Sequence, residues 1–119
     1  MSSILNDVKS YCQVESDDDS FDNDIITLAN AFLDDCKQVG VGDDDFELSD
    51  AETTWEDFVG EESAKQLHRV SLYVKIKTKL AFDPPANSAL AAALDKEAQE
   101  CICRMNYQVD PKPMVRNKD

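Results

Sequence analysis

Hydrophobic positions change rhythm several times along this chain. Ile4, Leu5, Val8, Tyr11 and Cys12 recur at three- and four-residue steps, so residues 3–13 are predicted as a short amphipathic helix. Residues 13–20 are polar and hold Asp17, Asp18 and Asp19, a turn. Ser20 is the expected N-cap of a second helix, with Asp22 and Asp24 near its positive end. That helix carries Phe21, Ile25, Leu28, Ala29, Phe32, Leu33 and Cys36 on one broad face, and Gly40 or Gly42 stops it. Residues 41–53 have too few apolar positions for a buried helix and are expected as a loop, with a few extended residues around Phe46 and Leu48. Thr54 then caps a helical turn in which Trp55 and Phe58, three apart, pin the turn to the core.

Residues 61–82 fit two periods. Val70, Leu72, Val74, Ile76, Leu80 and Phe82 alternate with polar or basic residues, interrupted at Thr78, which is the pattern of an amphipathic strand. Glu61 to Leu67 is a good helix start, however, and nothing breaks the chain before Asp83. Val70, Tyr73, Val74, Lys77, Leu80 and Ala81 also make a helical face with snorkelling lysines. The stop that follows is firm. Pro84 and Pro85 lack backbone donors, and each costs about 3 kcal/mol inside a helix. Asp83, preceding a proline, is pushed out of the α region. Ser88 is the expected cap of a last helix, 88–106, rich in Ala, Leu, Gln and Glu. Phe82, Asp83, Pro84 and Pro85 thus form the corner of a helical hairpin. Residues 107–119, interrupted by Pro111 and Pro113, are expected as an extended C-terminal tail beyond a helical domain of residues 1–106.

Charge adds a polarity to this plan. The net charge is −13, but residues 1–63 hold 19 acids and 2 bases while residues 64–119 hold 6 acids and 10 bases. Such a split suits an oriented role with different partners on different faces. Wrapping of DNA is disfavoured for so acidic a chain. No apolar run is long enough to span a membrane, and no basic segment leads into an apolar one at the start, so no membrane association is expected and the protein should be intracellular or particle-bound.

The candidate chemistry is sparse. Cys12, Cys36, Cys101 and Cys103 lie in helix-like segments, so small packing residues are expected rather than disulfides or a zinc site. The acidic runs 17–19 and 43–45 invite calcium. Counted from Asp17, the sixth and twelfth positions are Asp22 and Leu28; counted from Asp43 they are Leu48 and Thr54. Neither supplies the glycine and glutamate of an EF-hand loop, so solvated turns are expected. His68 has no nucleophile elbow or glycine-rich loop nearby and reads as a surface or interface residue. No cofactor, metal or catalysis is expected. Lys65, Arg69, Lys75, Lys77 and Lys79 form the one basic run. It is either a solvated helix face or an edge that meets the acidic half of a neighbouring subunit, as head-to-tail contacts in a cycle require.

Several of these segments carry a resemblance. Lys75 to Ser88 (KIKTKLAFDPPANS), with Glu100 to Asn106 (ECICRMN) after it, resembles a signature of tailed-bacteriophage head–tail connector proteins, the head-completion adaptors that bind below the portal. Ser3 to Tyr11 (SILNDVKSY) is similar to the start of that family, and Trp55 to Phe58 (WEDF) matches a third patch. The family position before Arg104 is often a large aromatic; here it is Cys103.

The resemblance implies helix for residues 61–82, and helix is adopted. The expected architecture is an all-α bundle with an irregular acidic loop and an extended tail. The implied role is structural: a ring of about twelve subunits by cyclic closure, between the portal protein and another connector, stopper or tail component. DNA would pass through its lumen unbound, and the location would be the virion neck after assembly in the host cytoplasm. Lys75, Lys77 and Lys79 are the expected subunit interface. Lys112, Met114, Val115 and Arg116 are the expected portal-docking part of the tail, against the alternative of a frayed terminus. Two other classes stay open: an acidic DNA-mimic or inhibitor, and a small hydrolase or metal enzyme.

Overall fold

The computed structural model of the chain describes residues 3–60 and 64–109. Among them are five helices and no strand: α1 (Ile4–Tyr11), α2 (Asp22–Gln38), α3 (Trp55–Val59), α4 (Ala64–Phe82) and α5 (Ser88–Val109). The all-α expectation therefore holds.

The helix α4 packs against each of the other four helices, and this resolves the conflict of periods. Residues two apart on a helix point about 200° apart, so a period-two pattern wound into a helix becomes apolar on opposite sides. An edge helix has no use for that. A central one does: Val70, Tyr73, Val74, Ile76 and Thr78 are all buried, and Leu67, Leu72, Leu80 and Phe82 pack partly against the same core.

On one side of α4 lies α1, which buries Ile4, Leu5, Val8 and, unusually, Lys9. Its cap is Ser3, whose hydroxyl accepts from the Asn6 amide at 3.2 Å. The Lys9 ammonium sits 2.8 Å from Asp22 and donates to the Ser16 carbonyl at 3.2 Å, so one buried cation joins α1, the acidic turn and the start of α2.

The start of α2 differs from expectation. Ser20 is not its cap. The serine amide and hydroxyl both turn back to the Asp18 carboxylate, Phe21 takes the cap position, and no side chain caps the helix. Asp22 and Asp24 in the first turn still oppose the helix dipole. Gly40 follows the helix with φ +89°, the left-handed conformation that closes a C-terminus.

The 41–53 segment is a loop without a strand, but it is held down. The Asn30 side-chain amide donates to the Leu48 carbonyl at 2.9 Å and accepts from the Leu48 amide at 2.8 Å, imitating a backbone partner. Lys37 donates to the Phe46 carbonyl at 2.7 Å. Gly42, at φ +89°, lies flat against the Phe58 ring: a Cβ there would stand 2.2 Å from a ring carbon. Thr54 caps α3 in a capping box with Asp57, and the Trp55 indole donates to Asp7 at 2.8 Å, tying α3 to α1.

The last helix also starts differently from expectation. Ser88 is its first residue, and the cap is Asn87, whose side-chain oxygen accepts from the amides of Ala89 at 2.8 Å and Leu90 at 3.1 Å. The helix runs on to Val109, three residues past the expected boundary. It packs on α4 through buried Ala98, Cys101 and Met105, and most of its first half is exposed.

Candidate functional site

The basic run does not form one face. Lys75 and Lys79 are four apart and share a side of α4, whereas Lys77 is about 160° away from each, midway between them in sequence. The Lys75 ammonium stands 5.8 Å from the centre of the Tyr11 ring. Lys77 stands 5.8 Å from that of Phe32, on α2, and 3.5 Å from Asp95, on α5. All three are half-buried, stems against the core and heads at the rim, as long cationic side chains on a central helix must be. Lys77 thus already has a carboxylate partner within the chain.

The corner brings together more than its four expected residues. The Asp83 amide donates to the Lys79 carbonyl at 2.8 Å, ending α4, and Pro84 and Pro85 carry the chain to Asn87. The Phe82 ring meets Phe21 edge-on, with centroids 5.4 Å apart and planes at 71°. Phe21 is 42% exposed, and Leu90, on the first turn of α5 past the corner, is 51% exposed. These are the two large hydrophobic side chains most open to solvent among the described residues. Asp17, Asp19, Asp24 and Asp83 are exposed close by in sequence. Asp18 completes this acidic rim, its carboxyl held below the usual range by the Ser20 hydroxyl and amide. Sequence reading placed Phe21 on the core face of α2 and did not connect it with the corner. The signal was there, since Phe21 stands between Asp19 and Asp22 in an acidic, polar stretch.

Two of the concavities among the described residues lie elsewhere. One, of about 520 Å³, opens between α4 and α5 beside His68, Arg69, Leu72, Glu97, Glu100, Cys101 and Arg104. His68 is exposed there, with no activated nucleophile beside it: burial pushes the Cys101 thiol up, not down. The other, of about 390 Å³, separates α2 from the acidic loop and includes Asp34, Lys37, Asp44 and Asp45. No group of His, Cys, Asp and Glu side chains among the described residues is arranged to hold a metal ion. The four cysteines are free thiols, and burial, aided by the Asp35 carboxylate and Cys101, pushes Cys36 up to about 12. No helix among the described residues is long and apolar enough to cross a membrane. Lys112, Met114, Val115 and Arg116 lie outside the described residues.

A family model described as phage connector protein matches residues 4–112. No curated protein matches the chain, and no solved structure does.

Proposed function

Starting from the fact that this chain belongs to the phage connector protein family, we propose that it is a head–tail connector that closes into a ring beneath the portal of a tailed bacteriophage. The family match over residues 4–112 carries the reading, and the divided charge of the chain supports it. Cyclic closure requires two different complementary surfaces on each subunit, and a chain acidic in its first half and basic in its second supplies them. By analogy with head–tail connectors the ring has about twelve members, closed by cyclic symmetry. Carboxylates on its inner wall repel DNA phosphates, so the duplex slides through without being gripped.

The portal lies on one side of the ring and a further connector, stopper or tail component on the other, in the neck of the virion. Assembly takes place in the host cytoplasm. No residue is assigned a catalytic step. Of the expected interface lysines, Lys75 and Lys79 reach towards a neighbour's carboxylates, while Lys77 contributes mainly through its own Asp95.

The test is the native mass of the purified chain, alone and mixed with its portal. A cyclic multiple of the chain attached to the portal is expected. A chain that stays monomeric with portal present, yet binds tightly to a basic nucleic-acid enzyme, would replace this reading with that of a DNA mimic.

A further inference from the structure

The corner end of the hairpin is an apolar patch in an acidic frame. Phe21 and Phe82, in ring contact, and Leu90, on the first turn of α5, supply the apolar part, and Asp17, Asp18, Asp19, Asp24 and Asp83, close to them in sequence, the acidic part. Of the nearby cations, Lys9 is buried against Asp22, and Lys79 is half-buried on α4. A partner for this patch must be apolar at its centre and basic at its edges. One segment of this same chain has that composition: Met114 and Val115, flanked by Lys112, Arg116 and Lys118.

On its own chain the apolar pair of the segment falls short of Leu90. Leu90 and Val109 are both in α5, and nineteen residues of helix separate them by about 28 Å. Met114 lies five residues beyond Val109, and five fully extended residues span at most about 18 Å. The apolar pair therefore meets the patch more readily between molecules than within one. We propose that residues 112–116 of one subunit dock on the corner patch, Phe21, Phe82 and Leu90, of a second copy.

This contact joins unlike surfaces head to tail, so it repeats from copy to copy and closes when the rotation per subunit divides a full turn. It rests on the ring proposed above and gives that ring a specific joint. The groove between α4 and α5 is a poorer seat for the segment. It mixes Arg69 and Arg104 with Glu97 and Glu100, so a basic peptide meets attraction and repulsion together.

The probe is a fluorescent peptide of residues 110–119 titrated onto the full chain. Saturable binding is expected, weakened by added salt and at least tenfold weaker with Leu90→Asp, whose exposed position leaves the fold intact by circular dichroism. A peptide with Met114→Asp and Val115→Asp should not bind. Asp83→Lys should weaken binding of the native peptide. Equal binding to the Leu90→Asp chain overturns the assignment, as does capture of the peptide by purified portal but not by the full chain. Sedimentation of the full chain with portal separates the two ideas. Rings without peptide binding leave the connector reading standing and remove the corner joint. Peptide binding with assembly that never closes keeps the joint and removes the ring.

Discussion

The Lys9–Asp22 pair should respond very unequally to removal of its two ends. The Lys9 side chain is 2% exposed and that of Asp22 is 27% exposed, with 2.8 Å between charged atoms. In Asp22→Asn the buried ammonium keeps only the Ser16 carbonyl at 3.2 Å. Breaking a buried pair from the side that leaves a stranded charge costs about 3 kcal/mol or more. Lys9→Met keeps the stem that fills the space and strands no buried charge. Asp22 remains partly solvated on the first turn of α2, where the helix dipole favours an anion by about 0.3–1 kcal/mol. The loss is then about 1 kcal/mol, chiefly the donor to Ser16. For a chain of this length, the aspartate variant should melt roughly 10 °C lower and the lysine variant only a few degrees lower.

The double variant, having no buried charge, should be more stable than Asp22→Asn alone, a coupling that a double-mutant cycle reads directly. Urea titrations followed by circular dichroism measure all four proteins. If Lys9→Met costs as much as Asp22→Asn, or if the two losses simply add, the cation is not desolvated and this account of the α1–α2 junction is wrong.

Gly42→Ala combines a positive φ with a Cβ placed into the Phe58 ring, and should lower stability by about 2–3 kcal/mol in urea titration. Replacing Pro84 and Pro85 together by alanine removes the helix stop and the restraint on the unfolded corner, costing about 1–2 kcal/mol; an unchanged melting midpoint would contradict this. Lys77→Glu places a carboxylate beside Asp95 and should destabilise the isolated subunit. Lys75→Glu with Lys79→Glu should instead weaken ring assembly on the portal, and normal rings would show those two lysines to be a plain solvated face. Stability should fall as pH rises past about 9, because the Cys36 and Tyr73 acids are both raised in the fold, chiefly by burial. A group with a raised folded pKa stabilises fully below its unfolded value and loses that contribution as pH climbs to the folded one. Tyr73→Phe, which also removes the 2.8 Å hydrogen bond to Asp35, should flatten the decline above about pH 10.

The elements that were legible in the sequence are those whose signals are local. The α1 and α2 stripes, the Thr54 cap and the proline corner each depend on spacing within a few residues. The α4 segment was ambiguous because its period-two pattern reports two-sided burial, which a central helix and a half-buried strand share. Lys9 went unnoticed for a different reason. It stands four residues after Leu5 and three before Cys12, in the middle of the apolar stripe of α1, and only its position on the wheel hinted at burial. Asn30 gave no hint at all. Its partner is the backbone of Leu48, eighteen residues away, and no periodicity encodes a side-chain bond to a distant main chain. The caps at Ser20 and Ser88 were misplaced by one residue each, since Ser20 turns back to the Asp18 carboxylate and Asn87 takes the amides that Ser88 was expected to serve.

The same locality explains how α5 is ordered without burying most of its surface. Most helices in a small domain owe their stability to a buried face. The first half of α5 buries little, yet it is a continuous helix. Its residues 89–94 are four alanines and two leucines, the strongest helix formers available, and Asn87 satisfies the amides of Ala89 and Leu90. Propensity and capping here do the work that packing does elsewhere. The consequence is a preformed surface: Leu90 is held in place on an ordered turn just past the corner while still exposed. A partner arriving at such a surface need not order it first, so little of the contact energy is spent on conformational entropy. In the proposed ring, weak single contacts repeated around a closed cycle would then suffice to hold each subunit.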